Sequence, residues 1–511
     1  MRKDEKKWID GVVLIAMFIL AGLFVYYFST STSPIIKNFY KDDSAIFQVV
    51  GREWAKGKLL YVDVFDHKGP IIFLIDALGY GLTKSSIGIM YIQIVLLFLV
   101  VAFIYRAMRL EFGRKWAVAI AGLAYLIMGI SYSQGNLTEE YSLLFIVLSI
   151  ASAIKYMRKE EQDLHPLGYA FVYGCSFMAI CLMRMTSAIS ICCIVLVVLC
   201  ILLGEKKWLH ILQNMVVFLA GAGLIFLPFC IYFLIKGTLK QMLFATFIYN
   251  FMYASGSSFL DPDGDGWNKI LFSVLTVFCL LVISILHIAF TKKQKDRLGI
   301  CSLLTAVMTI LMLLRMNRYM HYYLITMPYV MYIAVMLKDL YAVRKKDVWR
   351  RMAFLMAAGL VLLQTLAGGY KTYAQRKCIE TYTKQTADYQ VCCNRFMSQI
   401  PPEEKEDFLV FASFRLSQWY LVADVAPSYH YPFLQDWWCK NSSEMEAEVT
   451  AYLQNQPAKW MVVEADYDTG DLLIPNNENF KKIIQTRYEV VDDFQTSFDY
   501  RRYQLLKRST P

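Results

Sequence analysis

Long apolar runs separated by short charged segments dominate this chain of 511 residues. Runs long enough to cross a bilayer, which takes about 17 to 25 residues, recur at about eleven places. They lie near residues 9–28, 86–104, 116–131, 141–157, 167–183, 186–203, 209–235, 268–290, 298–314, 319–337 and 352–368. The first run is longer than a signal-peptide core, and no A-x-A cleavage site follows it, so we interpret it as a retained anchor. The pattern predicts a mainly α, polytopic helical membrane protein.

Basic residues between the runs predict the orientation. With the N-terminus inside, the inner segments hold 23 Lys and Arg residues, whereas the outer segments, including the long loop 29–84, hold 12. Cytoplasmic loops of membrane proteins carry the basic excess. We therefore expect a multi-pass protein of the bacterial cytoplasmic membrane with a cytoplasmic N-terminus. An odd number of spans leaves residues 371–511 outside.

The composition is typical of a membrane protein and limits the classes of partner and chemistry that the sequence supports. The chain is 57% hydrophobic and only 18% charged, with a mean hydropathy of +0.40. The inner loops account for much of the net charge of +10, so no nucleic acid partner is indicated. The twelve cysteines include no C-x-x-C pair, and the chain contains no P-loop, G-x-G-x-x-G or G-x-S-x-G motif. Zinc-ribbon, nucleotide-binding and serine hydrolase chemistry therefore have no support.

Two regions interrupt the membrane pattern and predict two domains. In the first outer loop, 29–84, the segment "DDSAIFQVVGREWAKGK" has the spacing of an amphipathic helix lying on the outer membrane surface. The apolar stretch "IIFLIDALGYGL" that follows is too short to span and is expected at the interface. In the tail, "DFLVFAS" and "AKWMVVEAD" predict buried strands. We predict a transmembrane domain over 1–370 and a small extracytoplasmic α/β domain over 371–511.

Charged residues cluster near the outer ends of the predicted spans. A charge in or near the membrane costs free energy, so each of these residues suggests a functional role. Asp42 and Asp43 open the predicted amphipathic helix, either as caps or as a carboxylate able to take a proton from a hydroxyl group. The stretch "YVDVFDHKGP" forms either a polar turn or a site whose lysine neutralises a lipid phosphate. Its candidate binding residues are Asp63, Asp66, His67 and Lys68.

Later spans add further candidates at their outer ends. These are Glu139 with Glu140, Arg184, and a cluster of Arg315, Arg318 and His321. Acidic residues are ordinary in a first helical turn, but an outward carboxylate also orients a sugar or holds a cation. An arginine between two closely joined spans favours anion binding or an internal ion pair, and the last cluster suggests an anion site near the lipid headgroups.

Four motifs carry a resemblance to a family of membrane enzymes. They are "DDSAIFQVVGREWAKGKLLYVDVFDHKGP", "TEEYSLLF", "LMRMTSA" and "RYMHYYLITMP". Together they resemble the GT-C type integral membrane glycosyltransferases, in the bacterial branch related to protein mannosyltransferases and lipid A aminoarabinose transferases. The resemblance covers about residues 8–368 and is strongest over 40–71, and the tail is only generally similar to the outer domains of such enzymes.

The resemblance implies a reaction and roles for particular residues. It implies inverting transfer of a sugar from a polyprenyl-phosphate donor to a hydroxyl of a glycan, lipid or protein acceptor on the outer membrane face, in cell-surface glycan assembly. No cofactor is required, and Mg²⁺ or Mn²⁺ serves some relatives. Asp43 matches the catalytic carboxylate better than Asp42 does, and Lys68 matches the lysine that contacts lipid phosphate. Asp63 and Asp66 match acidic loop positions, and Glu139, Arg184 and His321 match looser motifs. The chain has "HKGP" where the family commonly has "KP" or "KPP".

Other functions remain open from the sequence. A transporter or flippase of lipid-linked sugars also has many spans with buried charges, but it usually shows internal pseudo-symmetry, and we find no repeat. A surface-glycan polymerase or ligase usually carries its key loop late in the chain, whereas here the charged loop comes first. The aromatic stretch "SYHYPFLQDWW", 428–438, either packs the tail or stacks on a glycan.

Overall fold

The computed structural model describes most of the chain. The described residues are 3–158, 164–253, 265–291, 296–411, 417–432, 439, 441–455, 457–474 and 477–509. Residues 433–438, more than half of the aromatic stretch 428–438, lie outside them. The following description concerns the described residues.

Helices make up the first four-fifths of the structure. They are α1 (Lys3–Phe28), α2 (Asp42–Ala55), α3 (Pro70–Thr83), α4 (Ser86–Glu111), α5 (Arg114–Ser131), α6 (Thr138–Met157), α7 (Leu167–Cys181), α8 (Ile189–Gly204), α9 (Trp208–Ile235), α10 (Leu239–Leu243), α11 (Tyr249–Tyr253), α12 (Trp267–Thr291), α13 (Arg297–Leu313), α14 (Val330–Val343) and α15 (Val348–Met397). Short 3₁₀ segments, Met185–Ala188 and Met320–Tyr329, lead into α8 and α14.

The predicted spans coincide with helices. Among the described residues, nine helical segments are long and apolar enough to cross a membrane. The remaining two predicted spans are the shorter apolar helices α7 and α13, with 15 and 17 residues. At about 1.5 Å per residue these two reach about 22 and 25 Å, just under the roughly 30 Å hydrocarbon core. The polytopic helical fold is therefore confirmed.

Ion pairs join the basic segments at one end of the bundle, which we call the N-terminal end. Arg114, at the start of α5, pairs with Asp10 of α1 at 2.8 Å. Arg158, after α6, pairs with Asp339 of α14 at 2.9 Å. These residues belong to segments that the charge pattern assigns to one membrane face. We call the opposite end, which carries the tail, the tail end.

One helix connects the membrane part to the tail. Helix α15 has 50 residues, or about 75 Å at 1.5 Å per residue, far more than a bilayer requires. It runs without interruption through residue 370, the predicted domain boundary. Its last turns bury Tyr389, Cys392 and Phe396 in the hydrophobic core of the tail. A shared helix therefore restrains how the tail sits on the bundle.

The tail is a small mixed sheet with helices. Its strands β1 (Phe408–Val410), β2 (Trp460–Ala465), β3 (Tyr488–Gln495) and β4 (Arg502–Arg508) lie in the order β1-β2-β4-β3. Strand β1 pairs parallel with β2, whereas β4 pairs antiparallel with both β2 and β3. The helices are α16 (Gln418–Val422), α17 (Ser443–Asn455) and α18 (Glu478–Arg487).

Two of the four tail strands were predictable from their apolar runs. Strands β1 and β2 are buried throughout and confirm the two predicted strands. The pair β3 and β4 was missed. Strand β3 reads "YEVVDDFQ" and exposes half of its residues, and β4 begins and ends with arginine, so neither shows a continuous apolar run. The α/β class of the tail is confirmed.

The predicted amphipathic helix forms as α2, but its surroundings differ from the expectation. All ten residues from 44 to 53 are buried. Ile46 and Phe47 pack into the core of the bundle, whereas Val49 belongs to the tail core with Trp419. The helix is therefore enclosed between α3 and the tail, and its polar side faces protein.

Candidate active site

The charged loop between α2 and α3 folds into a tight turn at the tail end. The Asp66 carboxylate accepts a hydrogen bond from the Lys68 backbone N–H at 2.9 Å, which closes an Asx-type turn. The Tyr61 hydroxyl donates to the Lys68 carbonyl at 2.8 Å. Asp66 and His67 are buried, and Lys68 is half-buried. The local sequence thus brings an acid, an imidazole and an ammonium group together.

The electrostatics of this turn follow from burial. Burial raises the pKa of Asp66 from 3.8 to about 6, although the Lys68 ammonium opposes the shift. Burial, together with the charges of Lys68 and Arg184, lowers the pKa of His67 well below its ordinary value of 6.5. His67 is therefore neutral near pH 7, and its Nε2 lies 2.7 Å from Lys68 Nζ. We assign Nε2 as the acceptor, because an ammonium group only donates.

Two contacts distant in sequence hold the turn in place. The Asn250 side chain, from α11, donates to the His67 carbonyl at 2.7 Å. Gly69 lies against the end of α7, where a Cβ atom would come 2.1 Å from the Leu182 carbonyl oxygen. That approach excludes any residue but glycine without a backbone shift. It explains why this chain has "HKGP" at this turn.

Asp43 is the second carboxylate near this turn. It is half-buried in the first turn of α2, where the helix dipole favours negative charge. Its side chain makes no hydrogen bond or ion pair to another described residue. It is nevertheless close enough to Asp66 and to Arg184 for its charge to act on both. Its neighbour Asp42 adopts a φ of +50°, a conformation that aspartate tolerates.

A second cluster adjoins the first. Arg184, between α7 and α8, pairs with Glu139 at the start of α6. Its guanidinium also stacks over the Tyr322 ring, 3.8 Å from the centroid. His321 lies beside Tyr322, with ring centroids 4.6 Å apart. Glu139, Arg184 and His321 therefore meet although they lie far apart in the sequence.

The remaining candidates lie elsewhere. Asp63 is exposed, and its carboxylate accepts from the Leu59 N–H at 2.7 Å, away from the buried turn. Arg315 is exposed, and Arg318 stacks over Trp267 at 4.9 Å. The expectation of one anion site formed by Arg315, Arg318 and His321 stays a prediction.

Glu140 points away from the second cluster into a separate buried network. Its carboxylate accepts from the Tyr132 hydroxyl at 2.8 Å and from the Gln93 amide at 2.9 Å. It also accepts from the Asn136 N–H at 3.0 Å. Adjacent glutamates at a helix start thus reach different partners.

Three residues of the site were missed from the sequence. Tyr61, Tyr322 and Asn250 touch Lys68, Arg184 and His67 respectively. Tyr61 and Tyr322 stand inside the highlighted motifs, so the aromatic residues next to the charges were a usable signal. Asn250 had no such signal, because it comes from a short helix 183 positions further along the chain.

The described residues contain no group of three or more His, Cys, Asp or Glu side chains placed to hold a metal ion. Asp43 and Asp66 are two neighbouring carboxylates, and Lys68 and Arg184 are the cations near them. The site thus combines acidic and basic groups, an arrangement suited to a phosphate ligand and a proton transfer.

The fold is similar to that of a solved membrane protein. The chain has a GT-C-like fold, as its sequence motifs predicted. It is similar to the crystal structure of ArnT from Cupriavidus metallidurans bound to undecaprenyl phosphate, with a TM-score of 0.54 and 14% identity over 96% of this chain and 97% of that chain. It also matches the oligosaccharyltransferase of Archaeoglobus fulgidus in complex with Zn and sulfate, with a TM-score of 0.49 and 14% identity over 95% of this chain and 72% of that chain. The second likeness is too low to support any argument.

Within that class the chain has a family. Residues 10–371 match the family model of the competence-induced protein Ccs4 N-terminal domain, and the chain belongs to this family. The matched range covers almost the whole membrane part and ends inside α15. Among curated proteins there is no match.

Proposed function

We propose that this protein is an inverting glycosyltransferase of the bacterial cytoplasmic membrane. It moves one sugar from a polyprenyl-phosphate donor to an acceptor hydroxyl on the outer face, in cell-surface glycan assembly. The acceptor is a glycan, a lipid or a protein. In support, ArnT has the same fold and was crystallised with undecaprenyl phosphate.

The observation that carries the proposal is that the Asp43 carboxylate lies near other charged groups without a hydrogen bond to the described residues. This carboxylate is half-buried, yet its charge acts on both Asp66 and Arg184. Such a group is suited to act as a general base. In the proposed step Asp43 accepts the proton of the acceptor hydroxyl while the oxygen attacks the anomeric carbon. The bond from that carbon to the phosphate oxygen breaks, and its electron pair leaves with the polyprenyl phosphate.

The cations supply the other half of the chemistry. As the bond breaks, negative charge grows on the departing phosphate. Lys68 and Arg184 stabilise it, because fixed charges in a site partly shielded from water act more strongly than in bulk solvent. Glu139 and Tyr322 hold the Arg184 guanidinium in position, and neutral His67 accepts from Lys68 and so orients its ammonium.

The test is sugar transfer by the purified full-length protein in lipid nanodiscs. Radiolabelled polyprenyl-phosphate sugars serve as donors, and an extracted cell envelope serves as the acceptor. We expect turnover by the wild type and a loss of about 100-fold or more in Asp43→Asn, the usual size of a general-base contribution. Asp468→Asn, the same change at an exposed position of the tail, is the matched control.

Two results would reject the proposal. If a folded Asp43→Asn transfers sugar as fast as Asp468→Asn does, Asp43 only stabilises its helix. If the wild type consumes no donor and, reconstituted in closed liposomes, moves the labelled lipid between leaflets, the protein is a transporter of lipid-linked sugars.

A further inference from the structure

Helices α10 and α11 are joined by a π-helical turn, Phe244–Ile248, which leads back to the charged loop. Such turns are rare and frequently occur at functional sites. The next two residues both contact His67 of the loop. The Asn250 amide donates to the His67 carbonyl, and the buried Tyr249 ring lies 5.7 Å from the imidazole, measured between ring centroids. This segment therefore contacts the loop at the residue before Lys68.

The Asn250 side chain is itself held in place. Its amide nitrogen lies 2.7 Å from the His67 carbonyl oxygen and 3.0 Å from the carbonyl oxygens of Ala245 and Thr246. A side-chain amide carries two N–H groups, so these three acceptors share its two hydrogens. The shortest of the three distances is the one to His67. The Asn250 amide thus bridges its own helical turn and the charged loop.

The peptide group between His67 and Lys68 is held at both of its polar atoms. Asn250 donates to its carbonyl oxygen, and the Asp66 carboxylate accepts from its N–H at 2.9 Å. A peptide group is planar, so bonds at its two opposite sides restrain the orientation of the whole group. The following peptide group is held as well, because the Tyr61 hydroxyl donates to the Lys68 carbonyl at 2.8 Å. The backbone is therefore restrained on both sides of the Lys68 Cα atom.

The Lys68 side chain starts from this restrained backbone. Its ammonium is a point charge on a flexible four-carbon stem, so the stem by itself does not define where the charge lies. The position of the charge depends on the Lys68 Cα atom and on the contact with His67 Nε2, which lies 2.7 Å from Nζ. Asn250 restrains the backbone of both residues, because the carbonyl that it binds belongs to the peptide group between them.

We propose that Asn250 is a positioning residue for lipid-phosphate binding, which acts by holding the Lys68 ammonium in one place. The proposal rests on the proposed function for the role of Lys68 as the cation that meets the donor phosphate. Asn250 acts through the backbone of the loop rather than on the phosphate. Asp66 and Tyr61 secure Lys68 from within the loop, whereas Asn250 secures it from a segment 183 positions further along the chain. Docking of that segment on the loop therefore completes the phosphate site.

The test measures binding rather than turnover. Full-length protein in nanodiscs is titrated with undecaprenyl phosphate and, separately, with undecaprenol, which lacks the phosphate, and native mass spectrometry measures the bound fraction. We expect Asn250→Ala to weaken binding of the phosphate lipid about 3- to 10-fold, the size of one hydrogen bond, and to leave undecaprenol binding unchanged. Asn214→Ala is the matched control, because Asn214 donates to the His210 carbonyl at the same distance of 2.7 Å. It should bind both lipids as the wild type does.

A double-mutant cycle shows whether Asn250 acts through Lys68. In a Lys68→Met background, Asn250→Ala should change binding of undecaprenyl phosphate by less than about twofold, because the ammonium that it positions is gone. Equal weakening in both backgrounds, or equal weakening of both lipids, would mean that Asn250 only stabilises the fold and would overturn the proposal. If Asn250→Ala does not fold, Asn250→Leu replaces it in every comparison, since leucine has a similar shape and no donor.

The outcomes separate this proposal from the proposed function. If the wild type transfers sugar and Asn250→Ala binds the phosphate lipid as tightly as Asn214→Ala does, Asn250 has no positioning role and the transferase stands. If undecaprenyl phosphate binding needs Asn250 but the wild type transfers no sugar, the positioning role stands and the transferase is rejected. Failure of the wild type to bind undecaprenyl phosphate overturns both.

Discussion

Arg52 fastens the tail to the helix that carries Asp43, and its replacement is the sharpest test of that arrangement. The side chain is 2% exposed, deep between α2 and the tail. It donates to the Tyr420 carbonyl at 2.8 Å and to the Val425 carbonyl at 2.6 Å. Its Nε pairs with Glu53, also fully buried, at 2.9 Å. Methionine at position 52 keeps much of the volume and removes all of these bonds.

The size of the effect follows from these contacts. Hydrogen bonds to a charged group contribute about 1.5–3 kcal/mol each, and breaking one partner of a buried ion pair costs about 3–5 kcal/mol. The contributions are not additive. Glu53 also keeps Lys58 at 3.4 Å and Lys56 at 3.5 Å, which softens the loss. We therefore expect Arg52→Met to lower the free energy of unfolding by about 3 kcal/mol.

The assay is urea unfolding of the protein in nanodiscs, followed by tryptophan fluorescence, since Trp419 is buried in the tail core beside Tyr420. Limited proteolysis of the tail reports the same loss independently. The double variant Arg52→Met with Glu53→Gln should recover part of the stability, because it no longer leaves a buried carboxylate without its arginine.

Arg376→Met is the matched control. Arg376 pairs with Glu380 on the surface of α15, with its side chain 79% exposed, and such pairs contribute about 0–1 kcal/mol. If Arg52→Met and Arg376→Met unfold within about 1 kcal/mol of each other, Arg52 does not hold the tail, and the enclosed position of α2 needs another explanation.

Three further predictions concern the site. Gly69→Ala should greatly reduce sugar transfer and lower thermal stability, because the new Cβ would lie 2.1 Å from the Leu182 carbonyl oxygen. Gly81 has open space around it, so Gly81→Ala should do neither. Equal behaviour of the two variants would contradict the close approach at Gly69. Asp66→Asn should raise the melting temperature at pH 8 but not near pH 4. The pKa of the Asp66 carboxyl rises from 3.8 to about 6 on folding, so the wild-type protein loses up to about 3 kcal/mol of stability as the pH rises through that interval. A difference in melting temperature that does not depend on pH would argue against this explanation. Chelation with EDTA should leave sugar transfer within about twofold, because in the proposed mechanism Lys68 supplies the positive charge at the phosphate. A loss restored by Mg²⁺ or Mn²⁺ would show a metal requirement.

The membrane architecture could be predicted because it depends on local properties. A run of apolar residues becomes a spanning helix whatever its neighbours are, since the bilayer demands internal backbone hydrogen bonds and a minimum length. The same holds for the turn at 61–70, whose Asp66, His67 and Lys68 are consecutive in the chain. Strands β1 and β2 were visible for a related reason, because their apolar runs are continuous.

Tertiary structure alone decided the contacts between distant segments. Arg184 meets Glu139 across 45 positions, and Arg52 meets Tyr420 across 368. Neither partner carries a local signal for the other, because an ion pair or a carbonyl contact depends on how helices pack and not on the neighbouring residues. The sequence by itself determined which segments cross the membrane and which residues carry charge, because both are local properties, and the packing decided which of those charges meet.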